Sequence, residues 1–222
     1  MAYRRTERVI ERLAARREAI VAAACDIAGD SGMDAVQIVP VAARAGIAAG
    51  TVYRYFPSKF DLVAALVTRV SERELAAVRR AADAAPGPLS ALSAAIVAFA
   101  ARALRRQRLA WAVLAEPVDA RIDGLRLAAR KRLAAEFEAR IRAAVALGHL
   151  PEQDGALAAA ALVGALIEGL IGPLAPATTE EAKARDAVQA FTLFALRALG
   201  VIDARARGLV VQSAWPAADD AA

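Results

Sequence analysis

Apolar runs of helical period, each closed by glycine or proline, constrain this chain more than any other feature. Ile10, Leu13, Ile20, Ala24 and Ile27 share one stripe of a helix expected over residues 6–28, ended by Gly29 or Gly32. A shorter helix over 38–45 tolerates Pro40 in its first turn, where no intrahelical N–H bond is lost, and closes at Gly46. The next, over 48–56, must stop ahead of Pro57, because a residue preceding proline disfavours the α region. Ser58-Lys59-Phe60-Asp61 then reads as a capping-box start. Its helix carries Leu62, Val63, Leu66, Val67 and Val70 on one side and extends toward Ala82. After a break at 83–88 (DAAPGP), further helices are expected over 89–105, 107–115, 119–147, 152–171 and 179–199. Residues 203–222 lose periodicity and read as a loosely ordered tail. Strand alternation of useful length is missing, so the expected fold class is all-α.

Composition agrees with closely packed helices. Of the 222 residues, 58% are hydrophobic and 24% charged, and much of the apolar share is alanine. The longest uncharged runs, 86–101 and 155–167, fall short of the ~18–20 residues that a membrane span needs. The charged N-terminus lacks the apolar core of a secretory signal, and the single Cys25 permits no internal disulfide. Both readings lead to the expectation of a cytoplasmic protein with no membrane partner. The net charge of +5 and the pI of about 10.0 suit an anionic partner. Within residues 1–17, Arg4, Arg5, Arg8, Arg12, Arg16 and Arg17 face only Glu7 and Glu11. This arm either attracts phosphate or is a solvated helix surface with Glu–Arg pairs.

Residues 17–60 place three helices in succession with a Gly46 turn between the last two. This is the layout of a helix-turn-helix unit, whose last helix enters the DNA major groove. It accounts for Gly50, which inside a helix costs about 1 kcal/mol relative to alanine. A residue without a side chain lets the backbone come close to DNA. Thr51 beside it offers a hydroxyl and a methyl to phosphate or thymine. Tyr53, Tyr55 and Lys59 can donate to phosphate oxygens, although Tyr55 could equally pack its ring and leave only its hydroxyl in water. Val52 and Phe56, one turn apart, face inward.

The run from Arg17 to Leu66, especially AARAGIAAGTVYRYFPSKFDLVAAL, resembles the DNA-binding head of the TetR/AcrR family of bacterial helix-turn-helix regulators. Ala42, Ala45, Gly46, Gly50, Thr51, Val52, Tyr53, Tyr55, Phe56, Ser58 and Lys59 match the family pattern, and the Ala-Glu-Pro-Val-Asp run at 115–119 is similar to a subset of these regulators. The resemblance implies DNA contacts from Gln37, Arg44, Ala48, Ala49, Gly50, Thr51, Tyr53, Arg54, Tyr55 and Lys59. It implies a basic arm and head over 1–60 with the motif at about 37–56, a regulatory and dimerisation part over 61–202, and a tail. Two departures stand out. Gln37 and Ala48 occupy cap positions where the family usually has Ser or Thr, and Ala49 stands where a basic or polar residue commonly precedes the glycine. Losing a cap costs about 0.5–2 kcal/mol, and losing a cation flattens the salt dependence of DNA binding.

For the larger part, the resemblance implies a ligand pocket and a homodimer. Ala156, Ala160 and Gly164 recur at four-residue spacing beside Leu162, Leu166 and Leu170, while Val188, Phe191, Phe194 and Leu199 mark a second helix. Small residues at such spacing let helices approach closely, either across a two-fold interface or inside one subunit. Ala160, Gly164, Leu166, Phe191 and Phe194 are the interface candidates. Phe99, Trp111, Leu114 and Phe137 are candidate pocket walls, with Arg102, Glu116 or His149 orienting a polar group on an unidentified small effector. Ordinary core packing is the competing reading for each aromatic.

An enzyme would need a constellation that is missing. One histidine and one cysteine, far apart, leave little for Cys/His catalysis or a metal cluster, and no phosphate-cradling GxxxxGK[ST] loop occurs. No catalytic residue, metal or cofactor is therefore expected. The expected function is a sequence-specific, ligand-responsive repressor bound to a double-stranded operator. The alternative is a helical protein–protein adaptor derived from such a regulator, with weakened DNA binding.

Overall fold

The structure, a computed structural model, describes residues 2–116, 119–175, 180–213 and 215. Side chains of residues 2–7, including those of Arg4, Arg5 and Glu7, lie outside that description, as do Pro117 and Val118. The described chain is all-α, in the order α1 Ala2–Ser31, a 3₁₀ turn Met33–Ala35, α2 Ile38–Arg44, α3 Ala49–Tyr55, α4 Lys59–Asp83, α5 Pro88–Arg105, α6 Gln107–Leu114, α7 Ala120–Ala146, α8 Gly155–Leu166, a π turn Ile167–Ile171, α9 Glu181–Ala198 and α10 Asp203–Gln212.

Local chemistry explains most boundaries. Helix α2 ends where Gly46 turns left-handed at φ 65°. The Gly46 amide donates to Ala43 O and that of Ile47 to Ala42 O, closing a Schellman motif. Gly148 and Gly200 end α7 and α9 the same way, at φ 68° and 94°. Helix α4 begins in a complete capping box. Ser58 Oγ accepts from the Asp61 amide at 3.2 Å, and Asp61 Oδ2 accepts from the Ser58 amide at 3.0 Å.

Two apolar cores result. The first joins α1, α2 and α3 through Ile20, Ala24, Met33, Val41, Val52 and Phe56, and continues beyond residue 60 to Leu62–Val67 of α4, Leu109–Val113 of α6 and Ile122 of α7. The second packs the other end of α4, at Val78 and Ala82, among α5, α7, α8, α9 and α10. Helix α4 is thus a rod shared by both.

Three expectations change. Helix α1 starts well before residue 6, and Ile10 and Leu13 are exposed at 60% and 47%, because the first core begins only at Ile20. The expected loose tail is helical over 203–212. Ala206 and Leu209 are buried on α9 and α5, and Asp203 is paired with Arg197 and Arg207. Hydrogen bonds from both arginines, Arg207 first, hold the Asp203 carboxyl below its ordinary range. Lastly, α5 does meet the length and hydropathy of a membrane span, but 78% of it is buried inside the fold, as befits a core helix.

Substituting Gly200 tests the docking of α10. An added Cβ would lie 2.5 Å from Pro151 Cγ, on a backbone of φ 94°. Gly200→Ala is expected to lower the unfolding free energy by about 1–3 kcal/mol in a urea titration.

Candidate nucleic-acid interface and the cavity behind it

Helix α3 is seven residues long, too short to be stable alone, so its orientation is set by what it buries. Val52 is fully buried and Phe56 is 2% exposed, and the Arg17 guanidinium lies 5.0 Å over the Phe56 ring. The opposite face presents Gly50, Tyr53 and Arg54 to solvent beside Ala48, with Ala49, Thr51, Tyr55 and Lys59 half-buried at its edges. Tyr53 is 53% exposed, whereas Tyr55 packs its ring against the first core. A Cβ at Gly50 would meet nothing within 4 Å, so no contact within the chain calls for glycine there.

The cap positions lack caps. Neither Gln37 nor Ala48 makes a side-chain capping bond, and the Gln37 amide donates instead to Asp34 O at 2.9 Å. Arg44, at the end of α2, forms an exposed 3.0 Å pair with Asp30. Such a pair contributes ~0–1 kcal/mol and leaves the guanidinium exchangeable.

Behind the head, a cavity of about 310 Å³ lies where the two cores meet, walled by α1, α4, α5, α6 and α7. Phe99, Arg102 and Leu114 line it. Trp111, Glu116 and Phe137 lie elsewhere. Trp111 is half-buried against the second core, and Phe137 is fully buried within it. Glu116 points at the head, where its Oε2 accepts from the Met33 amide at 3.0 Å. His149 is exposed at the end of α7. Spacing alone gave no sign of the lining residues Cys25, Asp26, Arg69, Ser71, Glu74 and Arg106. They meet only because α1 crosses α4 and α6, a tertiary fact without a local pattern.

Ion pairs stitch the seam. Glu18 of α1 takes Arg69 at 2.6 Å and Arg73 at 3.0 Å from α4, and Arg106 reaches Asp26 at 3.1 Å. Arg102, its side chain 5% exposed, grips Glu74 with two nitrogens at 2.9 and 3.0 Å. Burial pushes the Cys25 thiol above its ordinary pKa, outweighing the nearby Arg69 and Arg106. Among the described residues, no group of three His, Cys, Asp or Glu side chains could hold a metal ion.

On α8 and α9 the interface candidates divide. Ala160 and Gly164 are exposed, a Cβ on Gly164 would meet nothing within 4 Å, and Phe194 is 58% exposed. Leu166 and Phe191 face inward at 0% and 9%, because the same turns that expose the small residues aim these at the second core. Leu157, 69% exposed, joins the outward face.

Comparison with known proteins places the interface in context. Residues 20–66 match the pattern of the bacterial regulatory proteins of the tetR family. Over 78 residues the chain is 45% identical to the HTH-type transcriptional repressor KstR of Mycolicibacterium smegmatis, covering 35% of this chain and 38% of that protein. The KstR of Mycobacterium tuberculosis is 42% identical over 78 residues, covering 35% and 36%. The match therefore spans under two fifths of these relatives. Whole-fold similarity extends further. RolR in complex with resorcinol aligns over 94% of this chain and 98% of its own at a TM-score of 0.65 and 20% identity. The fatty acid degradation regulator FadR from Bacillus halodurans aligns over 79% and 94% at 0.68 and 19%. At such identities the likeness is one of fold.

The burial of Cys25 gives a direct check on the seam. At mildly alkaline pH the raised pKa keeps its thiol protonated, so iodoacetamide should label the native protein at least about tenfold more slowly than the urea-unfolded chain, followed by mass spectrometry.

Proposed function

We propose that this chain, whose residues 20–66 match the tetR family of bacterial regulatory proteins, is a homodimeric transcriptional repressor of that family, released from a double-stranded operator by a small effector. The observation that carries this reading is α3 itself. Its inner face is locked by Val52 and Phe56, while its outer face offers Gly50, Tyr53 and Arg54. Phosphate contacts would come from Tyr53, Tyr55, Arg44, Arg54 and Lys59, and base or close backbone contacts from Gln37, Ala48, Ala49, Gly50 and Thr51. A DNA-facing role supplies the reason for glycine that the protein interior lacks.

The dimer would form across α8 and α9, where Ala160, Gly164 and Phe194 leave a flat, partly apolar surface with Leu157 at its margin. A two-fold partner would set the two copies of α3 about 34–36 Å apart, one turn of duplex. The cavity walled by Phe99, Arg102 and Leu114 would take the effector. Occupancy that tilts α4 would change the separation of the two α3 helices, and by linkage DNA would weaken effector binding by the same factor. A regulator of this kind acts in the cytoplasm, where the DNA is. Support for the function comes from the match of residues 20–66 to the family pattern and from the 45% identity over 78 residues to a repressor.

The test is fluorescence anisotropy of the full chain on labelled duplex from upstream of its own gene, across a salt series. Tight binding with a steep salt slope is expected, and Tyr53→Ala should weaken it strongly. Ala49→Lys should steepen the slope by about one. Gly50→Ala should stabilise the protein by about 1 kcal/mol yet reduce DNA affinity. Failure to bind either this duplex or a random-site pool, with the dimer intact, would replace this reading with the protein–protein adaptor.

A further inference from the structure

The cavity at the seam is apolar over most of its wall yet carries an excess of cations. Leu75, Phe99, Leu109, Val113 and Leu133 supply hydrocarbon. Arg69, Arg73, Arg102, Arg106 and Arg132 line it against only Asp26 and Glu74, and Glu18, paired with Arg69 and Arg73, adds one more carboxylate. The count leaves two more arginines than carboxylates, with Arg132 and Arg73 reaching solvent at the edge of this largely apolar space.

The donors are also unspent. Arg102 is held by Glu74 through Nε and Nη2, which fixes the guanidinium plane and leaves Nη1 buried with no partner among the described residues. Arg69 Nε and Ser71 Oγ are likewise buried and unpartnered, and both residues line the same cavity. A buried donor without an acceptor is costly, and a cationic donor makes its strongest bond to an anion. Glu74 engages the Nε/Nη2 edge of the guanidinium, and the Nη1 hydrogens point away from that edge.

We propose that this cavity binds a small molecule with an apolar body and a single carboxylate, the carboxylate drawn to the side chains of Arg102 and Ser71, whose covered Nη1 and Oγ it reaches once the neighbouring side chains part, while the body lies against Phe99, Leu109 and Val113. This rests on reading the cavity as the effector site, and it names the effector's chemical class. A volume of about 310 Å³ is at the small end of ligand pockets, which limits the body to a short chain or a ring or two.

The test is isothermal titration of the full-length protein with straight-chain monocarboxylates of about six to about twelve carbons, each paired with the primary alcohol of equal length. At least one acid should bind about tenfold or more tightly than its alcohol. In Ser71→Ala the ratio should fall several-fold. In the double variant Arg102→Gln with Glu74→Gln, which leaves no lone buried charge, it should approach one while alcohol binding persists. The Ser71→Ala arm leaves the ion pair intact and serves if the double variant does not fold. No acid outbinding its alcohol, or a ratio undiminished in both variants, overturns the proposal. DNA anisotropy on the same samples without ligand separates the two readings. Acid selectivity without DNA binding would sink the repressor and keep this site, and DNA binding without acid selectivity would do the reverse.

Discussion

Helix α4 has to satisfy two cores at once, and the rest of the molecule is arranged around that demand. Its first turns bury Leu62, Val63, Leu66 and Val67 with the head, and its last turns bury Val78 and Ala82 with α5 and α7. Twenty-five residues make a rod of about 37 Å. The rod is coupled to α3 by only Phe56, Pro57 and Ser58, of which Phe56 is buried and Ser58 is locked in a capping box. Little slack remains in that junction, so a tilt of α4 is felt by α3. Between its two buried ends, Arg69, Val70, Ser71, Arg73, Glu74 and Leu75 line the cavity, and there the helix is held by ion pairs to α1 and α5.

A second link runs along the other side of the cavity. Helix α6 has eight residues and cannot stand alone, but Leu109, Ala112 and Val113 root it in the first core and Leu114 in the second. Polar ties bind both of its ends to the end of α1. Arg106 meets Asp26, Arg108 donates to Ser31 O at 3.1 Å, and Glu116 receives the Met33 amide. Arg126 of α7, 2% exposed, donates to the carbonyls of Ala112 and Glu116 and so satisfies the open end of α6. Burial lowers its affinity for a proton, and Asp123 opposes that shift. Through α4 and α6 together, the head is clamped on both flanks of one cavity.

How much of this was legible in the sequence follows from how local each signal is. The helix ends at Gly46, Gly148 and Gly200 and the cap at Ser58 depend on a handful of adjacent residues, and they stand in the structure where the sequence puts them. The inward pair Val52 and Phe56 follows from helical period. The exposure of Ile10 and Leu13 did not, since an apolar stripe reports what a helix can bury and not whether a partner extends that far. Helix α10 was missed because two buried residues and a charged surface make a weak period. The cavity was half-legible. Phe99, Arg102 and Leu114 sit on helices already expected, whereas Cys25, Arg69 and Ser71 join them through a crossing that no window of sequence contains. Leu166 and Phe191 show the same limit from the other side, where one turn of helix separates a surface residue from a core residue.

The uncapped helix α3 makes sense in these terms. A seven-residue helix with alanine at its cap would be unstable in isolation, and capping would add only about 1 kcal/mol. What holds α3 is the burial of Val52 and Phe56, and two such side chains contribute several times that amount. Stability is therefore vested in the inner face, and the outer face is free to vary. Ala48 and Ala49 cost the fold little, because neither belongs to the buried inner face. The outer face instead presents Tyr53, Arg54 and the bare backbone at Gly50 to solvent. The placement of α3 is therefore set by its inner face on the first core, the same core in which α4 and α6 are rooted.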